Sequence, residues 1–481
     1  MTHAIALTPW KRQGYLDSEN GSLTMDGIDL AELAVATGTP HFVYSEKRLR
    51  ANASAMLNAL RNIHRNTTIA YASKALANMS VLRILKAEGL GIEINSGGEL
   101  HKAIQAGFTG DQIVFNGVAK SQTEIEAAIA AQIKAINVDS LGELDRIIEC
   151  AGQSPPAANV TLRVVPEIQG GGSAGLETGS TSSKFGMTRN EIMIALKKIR
   201  LASDKIDFKG FHVHIGSQVN DLSAYRAEAT FLIQFLKEIE DLLPRPIEHL
   251  NLGGGFPVSY ISVDDKRTAP GHFSKTYSAT LNIEDVATAL IAPLQERLGP
   301  DIELIVEPGR SIVADAGVLL TRVEAMKERQ DLNWLYLDAG YNVILDAIFS
   351  WYFHMVTANR TDDEKTAHFR VFGPLCDSYD AFFDVTGEAA ISRLLDQEPS
   401  LGKHRALIEE TLLRQPGLKE LPEMTSVGDI VAILDVGAYN METQSQYCGR
   451  IQPAVSLIRL DGTLEEIRRA ETLNDLMARD E

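Results

Sequence analysis

The sequence is poor in cysteine, in long apolar runs and in positive charge. Its 481 residues include only 3 cysteines, which cannot all pair with one another and whose spacing lacks a zinc signature. No segment approaches the ~20 consecutive apolar residues that span a membrane. The formal net charge of −18 argues against nucleic acids and anionic membranes as partners. These absences disfavour a disulfide scaffold, a zinc protein and a membrane protein.

The remaining bulk properties favour a large globular protein. With 44% hydrophobic residues the chain can bury a sizeable core, and its length favours two domains. The amino-terminal stretch MTHAIALTPWKRQ lacks the apolar core of a secretory signal. We therefore expect a cytoplasmic protein.

Eight short apolar runs follow one another along the chain, with stretches of helical character between them, such as SVLRILKAEG at 80–89. The runs are TIAYAS (68–73), LGIEIN (90–95), QIVFN (112–116), KAINVD (134–139), VTLRVV (160–165), GFHVHI (210–215), HLNLG (249–253) and IELIVE (302–307). This alternation predicts parallel strands with right-handed crossovers, and eight such units fit an α/β fold of the closed (β/α)8 TIM-barrel type. A doubly wound open sheet is the alternative.

Polar or glycine-rich residues stand at or near the ends of these runs. In a barrel the carboxyl ends of all strands share one rim, so residues far apart in sequence meet there. In chain order they are Lys74, Glu93, Asn116, Asp139, Arg163, His214, Gly253 to Gly255, and Glu307 with Arg310. The sequence therefore predicts a functional site at this rim.

Each of these residues also has an ordinary structural explanation. A lysine at a strand end is usually a solvated charge, and a histidine between Val213 and Ile215 is more often a core residue. The NLGGGFP turn at 251–257 fits a tight connection, and EPGR at 307–310 fits a local ion pair. Their joint placement on one predicted rim favours the functional interpretation.

The predicted rim suits a phosphorylated aldehyde cofactor. A glycine-rich turn exposes backbone N–H groups that, with Arg310 and the Ser217 hydroxyl, can hold a phosphate dianion. Lys74 can form a Schiff base with an aldehyde. Glu307 can pair with a pyridine nitrogen while His214 stacks against the ring. Together these features indicate pyridoxal 5′-phosphate (PLP).

A set of ordered motifs carries a resemblance to a known family. They are YASKA (71–75), NSGGEL (95–100), FNGVAKS (115–121), KFGM (184–187), HVHIGSQ (212–218), NLGGGFP (251–257), EPGRSIVADAG (307–317), GPLCDSYD (373–380) and DVGAYNMETQS (435–445). Across residues 25 to 470 they resemble fold-type III PLP-dependent amino acid decarboxylases, the diaminopimelate/ornithine decarboxylase family.

The resemblance implies a role for each motif residue. Lys74 carries the Schiff base, His214 stacks on the ring, and Glu93 and Arg163 support the ring. The phosphate ligands it implies are Ser217, Gly254, Gly255, Gly309, Arg310 and Tyr439. Cys376 supplies a proton after loss of carbon dioxide and reaches in from a second subunit, so the family implies a homodimer with shared sites. A buried free cysteine is otherwise a common small apolar filler.

Glu307 separates decarboxylation from racemisation, which a related barrel performs with the same cofactor. A carboxylate facing the pyridine nitrogen keeps that nitrogen protonated, so the ring can accept the electrons left by departing carbon dioxide. Related racemases place a guanidinium there. An acid at position 307 therefore favours a decarboxylase.

The expected substrate pocket departs from that of diaminopimelate decarboxylases, whose D-x-G-M-N segment is followed by an Arg-Pro-x-x-Tyr clamp for the distal carboxylate. Here DAGYNVILDAIFSW (338–351) places Asp346, Ala347 and Ser350 at those positions. Asp377, next to the catalytic cysteine, adds a second carboxylate. Opposite charge favours an ammonium tail, so we expect a basic amino acid as substrate, with a surface position for Asp346 as the alternative.

The motifs AGYNVILDAIF, GPLCDSYD and GAYNMETQSQY are similar to those of D-ornithine/D-lysine decarboxylases, although NSGGEL follows the more usual decarboxylase pattern. We therefore expect release of CO2 and a diamine from a D-ornithine- or D-lysine-like substrate. The alternatives are decarboxylation of meso-diaminopimelate to L-lysine and decarboxylation of a diamino-acid conjugate in a siderophore-type pathway. A non-enzymatic alternative is an inactive homologue that binds a partner.

The predicted domain boundaries place a PLP-binding barrel at residues 41–317. Residues 1–40 and 318–481 contain short strands with turns between them, as expected for a β-barrel or β-sandwich domain built from both termini. An insertion with helical signal occupies residues 386–426. The glycine- and serine-rich loop at 167–183 is expected either to order over the cofactor or to be a flexible insert.

Overall fold

The structure is a computed structural model that describes residues 11, 14–152, 157–168, 183–260, 277, 281–329 and 331–480. Most of the 167–183 loop lies outside these residues. The chain forms two compact units, one from residues 50–257 and 280–312 and the other from residues 1–49, 258–279 and 313–481. We describe each unit by itself.

The strands and helices are numbered in chain order. The strands are β1 Leu16–Glu19, β2 Ser22–Met25, β3 Ile28–Asp29, β4 His41–Ser45, β5 Thr67–Ala72, β6 Gly91–Ile94, β7 Ile113–Phe115, β8 Ala135–Val138, β9 Ala158–Arg163, β10 Ile206–His212, β11 His249–Asn251, β12 Glu303–Val306, β13 Gly317–Arg329, β14 Leu332–Leu337, β15 Met355–Thr357, β16 Thr366–Phe372, β17 Lys419–Pro422, β18 Ile430–Ile433, β19 Ala454–Ile458 and β20 Leu464–Arg468. The α-helices are α1 Leu30–Thr37, α2 Glu46–Ile63, α3 Met79–Ala87, α4 Gly97–Gln105, α5 Gln122–Ala130, α6 Leu141–Ala151, α7 Arg189–Leu201, α8 Leu222–Ile239, α9 Ile283–Leu298, α10 Arg310–Val313, α11 Val385–Gln397, α12 Arg405–Leu412 and α13 Leu473–Met477.

The first unit is a closed barrel of eight parallel strands. Strands β5 to β12 pair in chain order, and β12 pairs with β5 to close the barrel. Ala70, Val114 and Ile305 from three of these strands form a buried cluster in this unit. The prediction of a (β/α)8 barrel is thus confirmed, and the open doubly wound sheet is excluded.

Polar side chains cap the helices that follow four of the barrel strands. Ser96, Ser121, Ser140 and Thr188 each accept a backbone N–H bond from the residue three positions on, at the start of α4, α5, α6 and α7. Such caps satisfy N–H groups that the first helical turn leaves without a partner, and so they define where each helix begins. The loops that precede these helices lie at the carboxyl ends of the strands, which share one rim.

The second unit is mostly antiparallel β structure from both ends of the chain, as predicted. Its main sheet has the order β17-β16-β14-β13-β4-β19-β20, and β18 pairs with both β13 and β15. Strands β1, β2 and β3 form a separate antiparallel sheet. The core includes Leu23, Leu30, Val318 and Leu320, which are at most 2% exposed.

The segment 386–426 forms most of α11, a short 3₁₀-helix, α12 and β17. Among the described residues, no helix combines the length and apolar character required to cross a membrane.

Candidate active site

The barrel brings most of the predicted rim residues to the carboxyl ends of its strands. Glu93 and Arg163 lie in the last two positions of β6 and β9. Lys74, His214 and Glu307 follow the ends of β5, β10 and β12 by one or two residues. The structure therefore places an amine, an imidazole, two acids and a guanidinium at one end of the barrel.

Glu307 is a buried carboxylate that receives several hydrogen-bond donors. Asn116 Nδ2 donates to Oε2 at 2.9 Å, and Asn251 Nδ2 donates to Oε1 at 2.6 Å. Asn137 Nδ2 approaches Oε1 at 3.4 Å, and His212 Nε2 lies 3.4 Å from Oε2. Burial opposes ionisation, but His212, His214 and Asn251 outweigh it and bring the pKa of Glu307 to about 2. Glu307 is therefore ionised at neutral pH.

The pKa of Glu93 is shifted in the opposite direction from that of Glu307. Burial raises its pKa to about 8, with a further contribution from Glu307, although the positive charge of Lys74 acts against the rise. Lys74 itself is exposed. At neutral pH the rim thus holds one protonated and one ionised carboxyl group.

His214 is held in a single orientation by the glycine turn. The Gly254 N–H donates to His214 Nδ1 at 3.0 Å, so the proton of the neutral ring lies on Nε2. Desolvation, together with the charges of Arg163 and Lys74, lowers the pKa of His214 well below its usual value. The ring is therefore neutral, as stacking on a cationic pyridine requires. The Gly254 N–H is engaged by this ring in the structure.

Arg163 is oriented by the KFGM motif. Its guanidinium lies over the Phe185 ring, 4.4 Å from the ring centroid, and 4.0 Å from Asp139 Oδ1. Asp139 also accepts the Gly186 N–H at 2.9 Å. A cation–π contact and a carboxylate thus fix a buried guanidinium at the rim.

The predicted phosphate ligands of this unit lie in three connections, at 216–219, 253–257 and 307–310. The loops approach closely: a Cβ on Gly255, whose φ is +92°, would lie 2.1 Å from the Gly216 carbonyl oxygen, beside Ser217. A Cβ on Gly309 would lie 3.1 Å from the Cβ atoms of Ala72 and Ala75, on either side of Lys74. Arg310 is buried, with 8% exposure. Glycine leaves the backbone at these turns free of side-chain bulk.

These residues fit PLP. The neutral His214 ring can face the pyridine ring, Glu307 can accept a hydrogen bond from a protonated pyridine nitrogen, and Arg310 supplies charge for the phosphate. Lys74 stands on the loop that approaches Gly309. Barrel and rim together define an enzyme that uses PLP.

The other predicted site residues belong to the β unit. Cys376 is exposed and Tyr439 is half-buried, with a φ of +67°. Asp346 is half-buried in a 3₁₀-helix, Leu345–Phe349. Asp377 accepts hydrogen bonds from the Tyr341 hydroxyl at 2.7 Å and from the Tyr379 N–H at 2.9 Å, and these bonds lower its pKa.

Sequence reasoning missed His212, Asn137 and Asn251, which all contact Glu307. They lie inside predicted strands, where a polar side chain gives no periodic signal. A usable signal was their register together with their position, because side chains alternate between the inside and the outside of a barrel and an inward-facing polar residue near the carboxyl end of a strand lies close to the rim.

Comparisons with known proteins agree with this site. A family model described as "Pyridoxal-dependent decarboxylase, pyridoxal binding domain" matches residues 46–314. The diaminopimelate decarboxylase of Methanocaldococcus jannaschii is 32% identical over 475 residues, covering 97% of this chain and 96% of the relative. That of Haemophilus influenzae is 32% identical over 468 residues, covering 96% and 98%.

Solved structures extend the agreement to the fold. The M. jannaschii diaminopimelate decarboxylase in complex with L-lysine has a TM-score of 0.80 and 31% identity, covering 97% of this chain and 98% of the other. A lysine/ornithine decarboxylase from Vibrio vulnificus, complexed with putrescine, has a TM-score of 0.68 at 22% identity, covering 89% and 97%. The second likeness concerns the fold alone.

The chain belongs to the pyridoxal-dependent decarboxylase family. It is a PLP-dependent carboxy-lyase of fold type III. The comparisons do not select the D-ornithine/D-lysine branch that the motifs suggested, because the relatives at about 30% identity are diaminopimelate decarboxylases.

Proposed function

We propose that the protein decarboxylates meso-diaminopimelate to L-lysine. The observation that carries this proposal is similarity over almost the whole chain to diaminopimelate decarboxylases, at 32% identity over 97% of the sequence. A related structure with a TM-score of 0.80 is a complex with L-lysine. The expected product of the reaction is thus a ligand of a relative.

The rim residues divide the work of binding. Lys74 attaches the cofactor through its amine, His214 supports one face of the pyridine ring, and Arg163 and Glu93 hold the ring in place. Ser217, Gly254, Gly255, Gly309, Arg310 and Tyr439 bind the phosphate. Gly254 takes part once its N–H, which donates to His214 at 3.0 Å, is shared or released. These assignments rest on the motifs and on the placement of the barrel residues at one rim.

Decarboxylation needs an electron sink and a proton donor. When bound, PLP supplies the sink for the electron pair left as the Cα–carboxylate bond breaks and CO2 departs. Glu307 holds a proton at the pyridine nitrogen, because its own pKa of about 2 keeps it ionised. Cys376 Sγ then donates a proton to Cα. Its exposure in the single chain is consistent with a position in the site of a second subunit.

A homodimer with shared sites is testable by mixing two inactive proteins. Cys376→Ala should lower kcat by about 10²–10⁴-fold, the usual contribution of a proton donor, while the equally exposed Cys448→Ala should not. Mixing Lys74→Ala with Cys376→Ala should restore activity, because one site of a mixed dimer has both native residues. No recovery after verified subunit exchange would contradict shared sites.

A D-configured basic amino acid, D-lysine or D-ornithine, is the second candidate. Its support is the sequence at the expected clamp for a distal carboxylate, where Asp346, Ala347 and Ser350 stand in place of Arg, Pro and Tyr. The buried Ser350 hydroxyl donates to Asp384 Oδ1 at 3.1 Å. Asp377 is held ionised by Tyr341 and Tyr379. Two carboxylates, Asp346 and Asp377, would favour an ammonium tail over a carboxylate.

The deciding experiment measures CO2 release from PLP-loaded protein with meso-diaminopimelate, D-lysine, D-ornithine, their L-enantiomers and L-arginine. Turnover of meso-diaminopimelate well above the other substrates supports the proposal. Preference for D-lysine or D-ornithine would replace it with the second candidate. Asp346→Ala should then raise KM for the preferred diamino acid only in that second case, and the exposed Asp363→Ala serves as the matched control.

A further inference from the structure

Three asparagine side chains surround Glu307 at the end of β12. Asn116 follows β7, Asn137 lies within β8, and Asn251 ends β11. The amide nitrogens of Asn116 and Asn251 donate to Glu307 at 2.9 Å and 2.6 Å, and that of Asn137 lies 3.4 Å away. One carboxylate thus connects four barrel strands through neutral donors.

Each amide has a defined orientation, because its oxygen is also engaged or its nitrogen is shared. Asn251 Oδ1 accepts the Gly253 N–H at 3.0 Å, and Asn116 Oδ1 accepts from Asn137 Nδ2 at 2.6 Å. Turning either amide around would present an oxygen to Glu307 and a nitrogen to an N–H donor. The amides therefore present N–H groups to both carboxylate oxygens, which favours the ionised form.

A buried ion pair fixes the strand ends that carry two of these asparagines. Lys120 Nζ donates to the carbonyl oxygens of Asn137 at 3.0 Å and Gly117 at 2.8 Å, and to Glu143 Oε1 at 2.7 Å. The side chains of Lys120 and Glu143 are 1% and 0% exposed. One buried amine thus ties together the backbone at Gly117, next to Asn116, and at Asn137.

The other ionisable groups around Glu307 do not neutralise it. They are His212, His214, Arg163, Glu93 and, through Glu93 and His214, Lys74. Burial lowers the pKa of both histidines, so they are neutral at neutral pH, and Glu93 holds its proton up to a pKa of about 8. Arg163 pairs with Asp139 at 4.0 Å. The direct contacts to Glu307 are therefore the asparagine amides and the His212 ring, whose Nε2 lies 3.4 Å from Oε2 and which also lowers the pKa of Glu307.

We propose that Asn116, Asn137 and Asn251 are positioning residues that hold Glu307 ionised and oriented, so that it can retain a proton at the pyridine nitrogen of PLP. The inference rests on the proposed role of Glu307 and is independent of which amino acid is the substrate. In this proposal, residues that do not contact the cofactor help to keep its pyridine ring protonated and therefore electron-withdrawing.

Asn251→Asp is the sharpest variant. It retains the oxygen that accepts the Gly253 N–H and replaces the N–H donor to Glu307 by a second carboxylate. Two adjacent carboxylates cannot both ionise freely, so this pair should bind one proton in the PLP-free protein. Asn116→Asp makes the same change from a different strand. Asn66→Asp, which removes an exposed amide donor to the Asp301 carbonyl oxygen at the amino end of β5, is the control.

The first measurement is the number of protons taken up when PLP binds, obtained by calorimetry at pH 7.5 in buffers of different ionisation enthalpy. Relative to the native protein and Asn66→Asp, the two site variants should take up fewer protons, by roughly one per chain, because the carboxylate pair already holds one. The proton changes at Lys74 are common to all four proteins and cancel in the comparison. Unchanged uptake would overturn the link between the asparagines and the cofactor ring.

The second measurement is the melting temperature of the PLP-free protein between pH 5.5 and 8. In the site variants the folded pKa of the pair lies above its unfolded value, so stability should fall as pH rises. The native protein lacks this fall from Glu307, whose folded pKa is about 2. A pH slope equal to that of Asn66→Asp in both variants would overturn the proposal even if PLP no longer binds. If Asn251→Asp does not fold, Asn116→Asp decides alone.

Discussion

The two ends of β12 carry two glutamates that are stabilised in different ways. At the amino end, Glu303 forms an ion pair with Lys134, with 2.9 Å between Nζ and Oε2, and accepts the Thr68 hydroxyl at 2.5 Å. At the carboxyl end, Glu307 is held by asparagine amides and by the His212 ring, whose Nε2 lies 3.4 Å from Oε2. Burial opposes ionisation in both, and in both the partners lower the pKa.

The two carboxylates differ in how much negative charge each can present to a ligand. A carboxylate paired with a lysine is neutralised within the protein, so it has little charge to offer. A carboxylate held by amide dipoles stays ionised and keeps its full charge. At one end of the strand the acid is thus paired with a lysine, and at the other an ionised acid is held by groups without a positive charge.

Replacing the rim amine should have the largest effect. Lys74→Ala should abolish CO2 release and the visible absorbance of lysine-bound PLP, because the attachment point is gone. Lys197→Ala, an exposed lysine on α7, should retain both. If the Lys74→Ala protein kept its colour and activity, Lys74 would not be the residue that attaches PLP.

Replacing Glu307, at the carboxyl end of β12, should lower the rate of decarboxylation. Glu307→Gln keeps the size of the side chain but removes its charge, so kcat should fall by about 10²–10³-fold, as when a preorganised electrostatic partner is lost. PLP binding, measured by absorbance titration, should persist. A native kcat in this variant would show that the two ends of the barrel do not differ in function.

The amino-end glutamate should affect stability instead. Glu303→Gln leaves Lys134 without its carboxylate, and the free energy of unfolding should fall by about 1–3 kcal/mol while kcat stays native. Denaturant unfolding of the PLP-free protein gives the first quantity and CO2 release of the loaded enzyme the second. A large loss of kcat without loss of stability would mean that Glu303 acts in catalysis rather than in stability.

Glu228 on α8 is another buried acid, and burial is what changes its pKa. It is 1% exposed, its Oε1 makes no hydrogen bond within the described part of the chain, and burial raises its pKa well above the usual value. Because the folded pKa is the higher one, stability is fullest below the unfolded pKa and falls as pH rises, by up to about 1.4 kcal/mol per pH unit.

Glu228→Gln should therefore stabilise the protein more at pH 8 than at pH 5. Thermal unfolding at the two pH values measures the difference, and the exposed Glu296→Gln on α9 is the matched control. An equal change at both pH values would mean that Glu228 is ionised as readily in the folded as in the unfolded chain.

The sequence predicted the barrel well, because each buried strand is a short apolar run followed by a polar or glycine-rich end. Lys74, His214 and Glu307 could be named because they stand at those ends. Asn116 could also be placed at the rim, but its contact with Glu307, 191 residues away, could not be predicted. Asn137 and Asn251 could not be named, since their role depends on closure of the barrel. Nor could the sequence show that Glu93 and Glu307 would differ in protonation, because that depends on which donors surround each carboxyl group.

Asn116 is followed by Gly117, the pair in which asparagine most readily loses its amide by cyclising onto the next backbone nitrogen. In the folded barrel both ends of that amide are engaged, by Glu307 and by Asn137, and the residue is 6% exposed. These two hydrogen bonds therefore also restrain the amide from the cyclisation that begins its loss. Prolonged unfolding exposes the pair, and hydrolysis of the cyclised asparagine leaves a carboxylate in place of the amide donor. A sample refolded after that change would carry a second acid beside Glu307.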